Sequence, residues 1–231
     1  MEIISEKEEL VLNWLKDQKN DKYLILDVGA NKGFYSESLL NKLDGRIEKI
    51  YSFEPVKENY DECLVKFSGN DMIEVFNKAC SDKNGEIDFY QIISDNIAAE
   101  GLSSINNREV FKNFKTVKII VNTVVIDEFL DINTKNDLFV KIDTEGHELE
   151  VMLGMVNLFE SNKILCLQFE YGDCMLEQNK DLNDVINFVN KFDGYQVCDF
   201  DMTNKSFFKI DESNIDNYIS KSWENLYIIR K

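Results

Sequence analysis

Three side chains that can transfer protons lie close together in the segment KIDTEGHELE, residues 141–150. They are Asp143, Glu145 and His147, and His147 is the only histidine of the chain. A carboxylate or an imidazole beside a reacting hydroxyl can accept its proton, which contributes about 10²–10⁴-fold to a rate. All three are therefore candidate catalytic residues. A purely structural role stays open for Glu145 and His147, because polar residues often begin a helix.

A second segment, LDVGANKGF at residues 26–34, has the residues of a turn that binds a ligand. Gly29 and Gly33 follow an apolar run, and a residue without a Cβ atom lets the backbone approach a ligand closely. Asn31 and Phe34 stand where the dinucleotide pattern G-x-G-x-x-G has its second and third glycines. This departure disfavours a pyrophosphate ligand. The Asn31 side chain instead suits an ammonium and a carboxylate.

Glu54 ends a further apolar run, IEKIYSF at residues 47–53. An acid at the end of the second strand can accept hydrogen bonds from both ribose hydroxyls of an adenosine ligand. The structural alternative is an exposed carboxylate with no ligand. Because a glycine turn precedes it in the chain, the ribose role is the favoured interpretation.

These residues need a scaffold, and the alternation of apolar runs with segments of helical spacing predicts a parallel sheet with helices on both faces. An N-terminal helix is predicted within residues 6–19. The predicted strands are 23–28, 47–53, 72–80, 86–93, 116–125, 137–143, 163–171, 195–200 and 224–231. The other predicted helices are 34–43, 56–67, 126–132, 146–159 and 181–192.

Ligands of such sheets bind at the carboxyl ends of the strands, near the point where the strand order reverses. The residues predicted at those ends are Asp27, Glu54, Cys80, Asp143 and Glu170. Four of these five are carboxylates, which predicts a polar site along one edge of the sheet.

The charged residues of this site lead to two further expectations, one about the partner of Lys141 and one about a metal ion. Lys141 lies in an apolar strand and needs a partner, for which Asp143 and Glu170 are the candidates. Several carboxylates could also suit Mg²⁺. The sequence contains no compact ligand motif, however, so no metal site is expected.

The composition limits the classes of partner. The net charge is -17, and the richest basic cluster is modest, so a nucleic acid is not an expected partner. That cluster comprises Arg108, Lys112, Lys115 and Lys118. The sequence predicts no secretory signal and no transmembrane span. The five cysteines form no C-x-x-C pair, which favours reduced thiols and a cytoplasmic location.

The length of 231 residues suits one α/β domain. We expect an N-terminal helix over residues 1–20 that packs on a single domain, 21–231. Residues 86–125 are expected to form an extended insertion on the substrate side. The oligomeric state is open, with a homodimer as one possibility.

The motifs together resemble the FkbM family of methyltransferases. The resemblance runs from about residue 23 to residue 171 and rests on LDVGANKGFYS, FEPVKENY, NKACSDKNGEIDFY, TVVIDEF and FVKIDTEGHELEVMLGM. It implies a class I methyltransferase fold, which is a Rossmann-like, doubly wound, seven-stranded sheet whose last strand is antiparallel. It also implies S-adenosylmethionine as the cofactor. The expected activity is O-methylation of a hydroxyl on a sugar, a glycan component or a small metabolite.

The resemblance assigns roles to individual residues of this chain. Asp27, Gly29 and Asn31 would contact the methionine end of the cofactor, Glu54 the ribose, and the turn 79–82 the adenine. Asp143 would lie near the reacting methyl group. The complete set expected to bind the cofactor is Asp27, Gly29, Ala30, Asn31, Gly33, Phe34, Glu54, Pro55, Ala79, Cys80, Ser81, Asp82 and Asp143.

The substrate is expected to contact a polar segment, SDNIAAEGLSSINNREVF at residues 94–111, because long loops of this kind often cover a site. The candidate substrate residues are Ser103, Ser104, Arg108, Glu170 and Tyr171. Two other functions stay open on the sequence alone. One is an oxidoreductase that binds a nucleotide cofactor on a related fold, and the other is a non-catalytic module that binds the cofactor.

Overall fold

The predicted alternation builds one eight-stranded sheet and one three-stranded sheet in a computed structural model of the chain. The structure describes residues 4–19, 22–93, 101–130, 135–218 and 223–231. Its strands are β1 (Tyr23–Val28), β2 (Ile47–Phe53), β3 (Ile73–Phe76), β4 (Ala79–Cys80), β5 (Gly85–Ile93), β6 (Lys115–Val124), β7 (Asp137–Ile142), β8 (Ile164–Gly172), β9 (Tyr195–Asp201), β10 (Ser206–Lys209) and β11 (Trp223–Arg230).

The described α-helices lie between these strands, with two short 3₁₀ turns at Glu109–Asn113 and Ile215–Tyr218. The helices are α1 (Glu6–Asp17), α2 (Phe34–Lys42), α3 (Lys57–Lys66), α4 (Ile126–Phe129), α5 (Glu148–Leu153), α6 (Val156–Glu160), α7 (Asp173–Leu176) and α8 (Leu182–Val189). Within the described ranges, none of the helices is long and apolar enough to span a bilayer.

The large sheet has the strand order β10-β9-β11-β8-β7-β1-β2-β3. Strands β3, β2, β1, β7 and β8 run parallel, whereas β11 is antiparallel to both of its neighbours. The prediction of a doubly wound class I sheet with an antiparallel last strand is confirmed. The order reverses between β1 and β7, so the carboxyl ends of these two strands meet at the expected binding edge.

Strand β10 is an addition to the predicted sheet. It pairs antiparallel with β9, at the edge farthest from β3. Phe207 of β10 packs edge-on against Trp14 of α1, at 4.9 Å between ring centroids, and against Phe200 at the same distance. Phe207 thus packs against the core at this sheet edge, whereas Phe208 is exposed.

Two hydrophobic cores cover the two faces of the large sheet. Helices α1, α2 and α3 pack on one face through residues such as Val11, Leu39 and Cys63. Helices α5, α6 and α8 cover the other face, for example through Val151 and Val185. Because both faces are covered, β1 is buried along its whole length, as its largely apolar sequence predicts.

Helix α1 joins the N-terminal part of the chain to the centre of the sheet. Ser5 and Glu8 form a capping box at its first turn. Glu8 also accepts a hydrogen bond from the Gln168 amide of β8, at 2.8 Å. Lys7 forms ion pairs with Asp199 and Glu224 near the last strand.

Two predicted elements are divided in the structure. The predicted strand 72–80 ends at Phe76, and Ala79–Cys80 pairs instead with β6 in the small sheet, whose order is β4-β6-β5. The predicted helix 146–159 is broken after Leu153. A Cβ atom on Gly154 would lie 2.3 Å from the carbonyl oxygen of Ser81, so this close packing requires glycine.

Candidate active site

The carboxyl ends of β1, β2, β7 and β8 surround a cleft of about 270 Å³. The small sheet contributes Phe89, and the segment before the first 3₁₀ turn contributes Gly101, Ser103 and Ile105. Residues 94–100, which belong to the predicted substrate segment, lie outside the described residues. The cleft occupies the edge that the strand ends predict.

The turn after β1 touches the turn after β7. Gly29 has φ +80°, and a Cβ atom on it would lie 1.8 Å from the carbonyl oxygen of Asp143. A side chain at this position is therefore impossible without moving one of the two turns. The next residues, Ala30 and Asn31, line the cleft, and Asn31 has a left-handed φ of +48°. Its Oδ1 atom is buried and accepts no hydrogen bond.

Glu54 holds the β1 turn and the β2 turn together. One of its oxygens accepts a hydrogen bond from the backbone N–H of Asn31 and the other from that of Val56, both at 2.8 Å. Burial raises the pKa of Glu54 to about 7, against the opposing effect of these hydrogen bonds. The side chain lines the cleft, as a ribose-binding acid would have to.

Lys141 finds its partners among the predicted acids. Its Nζ atom lies 3.2 Å from Asp143 and 3.7 Å from Asp27, and it donates to the Gly29 carbonyl at 3.2 Å. Burial alone would lower the Lys141 pKa, but the two carboxylates outweigh burial and the pKa is raised. The ammonium is thus held charged beneath the cleft, between β1 and β7. Of the two predicted partners, Asp143 forms the ion pair within 4 Å.

Three acids form the far end of the cleft, which we call the acceptor end: Asp143, Glu145 and Glu170. Burial, with the charges of Asp143 and Glu145, raises the pKa of Glu170 to about 10. Burial and Asp143 raise the pKa of Glu145 to about 8, although Arg108 lowers it. The Oε2 atom of Glu170 is buried without a hydrogen-bond partner.

Glu145 has an unusual backbone and several partners. Its φ of +56° lies in the left-handed region, which is uncommon for a residue with a long side chain. The Ser104 hydroxyl donates to its carbonyl oxygen at 2.7 Å, and Arg108 pairs with its carboxylate. Arg108 also lies 3.5 Å from Glu177. Neither Ser104 nor Arg108 lines the cleft, so both reach the site through Glu145.

His147 lies outside the cleft, contrary to what a general base requires. Its Nε2 atom is 3.0 Å from the Ser81 hydroxyl, and its Nδ1 atom is 3.6 Å from Glu150. Burial lowers its pKa. The ring therefore links the beginning of α5 to the turn after β4, and these contacts favour the structural role that the sequence left open.

The cofactor-binding candidates divide into two groups. Those that line the cleft are Gly29, Ala30, Asn31, Glu54, Pro55, Ala79, Cys80 and Asp143. Those that do not are Asp27, Gly33, Phe34, Ser81 and Asp82. Each member of the second group has a structural partner instead.

Asp27 is fully buried and accepts a hydrogen bond from Ser36 at 2.6 Å. A Cβ atom on Gly33 would lie 2.6 Å from Phe67, so this glycine lets α2 pack on α3. The Phe34 ring lies under the Lys66 ammonium, at 3.6 Å from its centroid.

Ser81 and Asp82 do not line the cleft, and the Ser81 hydroxyl donates to the Asp82 carboxylate at 3.2 Å. Among the substrate candidates, Ser103 and Glu170 line the cleft. Tyr171 does not, because β8 turns its side chain into the core, where it is 2% exposed.

Sequence reasoning missed several residues that line the cleft. Tyr35 lies in the first turn of α2, and its hydroxyl donates to Gln168 at 3.1 Å. Its position directly after the glycine turn could have identified it. Asn59 and Phe89 also line the cleft, and both lie within motifs quoted for the resemblance, FEPVKENY and NKACSDKNGEIDFY, which could have identified them.

One group of possible metal ligands occurs among the described residues. Atoms of Glu145, Glu170 and Cys174 lie within 4.8 Å of one another. Arg108 already neutralises one member of this group. The expectation of no metal site stays a prediction.

The family described as Methyltransferase FkbM domain matches residues 27–202, which include Gly29, Glu54 and Asp143. The chain belongs to the FkbM methyltransferase family. The resemblance drawn from the motifs is thereby confirmed.

A curated relative of this FkbM-family chain is the Hexuronic acid methyltransferase AglP of Haloferax volcanii. The two are 25% identical over 167 residues, which are 71% of this chain and 63% of that relative. The chain therefore spans less than two thirds of the relative's length.

Solved structures share the fold. Methyltransferase FkbM from Methylobacillus flagellatus KT has a TM-score of 0.57 at 16% identity, over 91% of this chain and 44% of that one. A putative methyltransferase from Streptococcus mutans, in complex with SAH, has a TM-score of 0.51 at 10% identity, over 99% and 100% of the two chains. These similarities agree with the class I methyltransferase fold of the large sheet.

Proposed function

We propose that this FkbM-family chain transfers the methyl group of S-adenosylmethionine to a hydroxyl of a sugar, a glycan component or a small metabolite. The observation that carries the proposal is that Gly29, Glu54 and Asp143 line one cleft. The complex of the Streptococcus mutans protein with SAH, on the same fold, supports the choice of cofactor. The name of the Haloferax volcanii relative supports a sugar as acceptor.

The residues of the cleft fit this cofactor. Gly29 allows the turn after β1 to contact the turn after β7 at the cleft, and the buried Oδ1 atom of Asn31 is an unused acceptor for the ammonium of a methionine group. The Glu54 carboxylate faces the cleft and would accept hydrogen bonds from the ribose hydroxyls. Ala79 and Cys80 would flank the adenine. S-adenosylmethionine, when bound, supplies a methyl carbon on a sulfonium sulfur that a hydroxyl oxygen displaces in line.

The chain then has three tasks, which are to orient the acceptor hydroxyl, to accept its proton and to exclude water. Asp143 is our candidate for the proton, because its side chain is 44% exposed in the cleft and Lys141 fixes it at 3.2 Å. Glu145 is held by Arg108 and orients the acceptor end. Correct placement of the reacting groups alone supplies about 7–11 kcal/mol in favourable systems.

Calorimetry with S-adenosylmethionine and with S-adenosylhomocysteine tests the cofactor assignment. We expect micromolar binding that Glu54→Ala abolishes and that Glu212→Ala, a change of the same kind at an exposed acid, leaves unchanged. No heat with either compound, but binding of a nicotinamide dinucleotide, would instead favour an oxidoreductase. A screen of hydroxyl acceptors, with release of S-adenosylhomocysteine as the readout, then separates an enzyme from a non-catalytic module.

A further inference from the structure

The acceptor end contains more carboxyl groups than basic groups. Asp143, Glu145 and Glu170 line it, and Lys141 is the only lysine or arginine among the described residues that line the cleft. Its ammonium is already shared between Asp143 and Asp27. The charge of Lys141 is therefore neutralised before any acceptor arrives.

Arg108 gives the acceptor no free cation either. Its guanidinium pairs with Glu145 and lies 3.5 Å from Glu177, and it does not line the cleft. Among the described residues, neither Lys141 nor Arg108 is therefore an unengaged counter-ion for an anionic acceptor.

The surplus of carboxyl groups leaves one oxygen atom of Glu170 without a donor. Its Oε2 atom is buried and receives no hydrogen bond. A buried carboxylate oxygen without a donor is costly, so the group either holds a proton or waits for a donor from the ligand. Its raised pKa, about 10, is the consequence of this environment.

We propose that the acceptor end binds a hydroxyl compound that carries an ammonium group, such as an amino sugar, and discriminates against one that carries a carboxylate. The inference rests on the proposed function, since it concerns the second substrate of the same cleft. An ammonium offers three donors and no acceptor, which matches a wall of carboxylates. Hydrogen bonds between such charged partners are stronger than those between neutral groups.

A preference for an amine differs from what the name of the Haloferax volcanii relative indicates, since that name gives a hexuronic acid as the acceptor. A hexuronic acid would place its carboxylate beside Asp143 and Glu170 with no unengaged guanidinium to receive it. Binding of an amine has a further signature. Because Glu145 and Glu170 hold protons more tightly than ordinary carboxyls, an ammonium beside them releases protons to the solvent.

The test uses the full chain saturated with S-adenosylhomocysteine. Calorimetry measures the dissociation constants of the methyl glycosides of glucosamine, glucose and glucuronic acid at the same pH and salt. We expect the glucosamine compound to bind about tenfold tighter than the glucuronic acid compound, with the glucose compound between them. Repeating the glucosamine titration in buffers of different ionisation enthalpy should reveal released protons.

Glu170→Gln is the matched variant, and Glu212→Gln is its control at an exposed acid outside the cleft. The first should reduce the preference for the amine, whereas the second should leave it unchanged. Equal binding of the three glycosides, tighter binding of the neutral or the acidic one, or no binding of any of them overturns the inference. Absence of S-adenosylhomocysteine binding, measured first, would instead remove the proposed function on which the inference rests.

Discussion

The carbonyl oxygen of Asp143 lies 1.8 Å from the position that a Cβ atom on Gly29 would occupy. The turn after β1 and the turn after β7 therefore touch only because residue 29 is glycine. This contact sets the width of the cleft between the proposed cofactor residues and the acceptor end. Any larger residue at position 29 has to push the two turns apart.

Gly29→Ala should accordingly lower the free energy of unfolding by more than the strain of a positive φ alone would. The control is Gly45→Ala, because Gly45 has a similar φ of +74° but no atom within 4 Å of the place that a Cβ atom would take. We expect Gly45→Ala to cost about 1–2 kcal/mol. Thermal unfolding of both variants checks the difference, and equal melting temperatures would contradict the close contact.

Glu54→Gln should lose cofactor affinity although it keeps the shape of the side chain. Both carboxylate oxygens accept backbone N–H groups, so an amide would place its NH₂ against one of these donors. We expect a loss of about 1.5–3 kcal/mol in binding, as for hydrogen bonds to a charged group. Calorimetry with S-adenosylhomocysteine measures it, with Glu212→Gln as the control. Unchanged affinity would refute the ribose role of Glu54.

The raised pKa of Glu170 predicts a pH-dependent stability. The folded protein binds this proton more tightly than the unfolded chain, because the pKa rises from an ordinary 4.5 to about 10. Its contribution to stability is thus complete below pH 4.5 and is lost as the pH rises through the folded pKa. Glutamine mimics the protonated acid, so Glu170→Gln should match the wild type near about pH 5 and be more stable near about pH 9.

Melting temperatures of both proteins across this pH range check the prediction. Glu212→Gln supplies the background for a lost surface charge. A constant difference between Glu170→Gln and the wild type at every pH would mean that Glu170 titrates normally.

His147→Asn should leave the pH profile of turnover unchanged, since the ring lies outside the cleft. The melting temperature should fall, because the contacts with Ser81 and Glu150 are lost or weakened. Asp143→Asn is the contrasting variant, whose turnover should drop by about 10²-fold or more. Release of S-adenosylhomocysteine against pH is the readout. Loss of the fall in turnover at acidic pH in His147→Asn alone would restore the histidine as the base.

Local sequence patterns predicted the strands that form the binding edge, since the apolar run Tyr23–Leu26 of β1 and the glycine turn after this strand are visible in the sequence itself. The same patterns could not predict contacts between distant segments. Gly154 looks like an ordinary helical residue in the sequence, and only the fold brings the Ser81 carbonyl against it. The pairing of Arg108 with Glu145 joins residues 37 positions apart, and no spacing rule connects them.

The sequence also could not predict which of the candidate side chains are buried. His147 has the right chemistry for a base, but only tertiary structure turns it toward Ser81. Asp27 lies one residue before the end of β1, and Asp143 directly follows β7. Asp27 is nevertheless fully buried against Ser36, whereas Asp143 lines the cleft. The direction in which a side chain leaves its strand decides between these outcomes.

The left-handed backbone of Glu145 depends on contacts from a separate segment of the chain. A conformation of this kind costs about 1–3 kcal/mol for a residue other than glycine. Here Ser104 and Arg108 hold it in place from a segment that pairs with β5. Relatives that have lost this segment should carry glycine or asparagine at the position of Glu145, so the two regions should change together across the family.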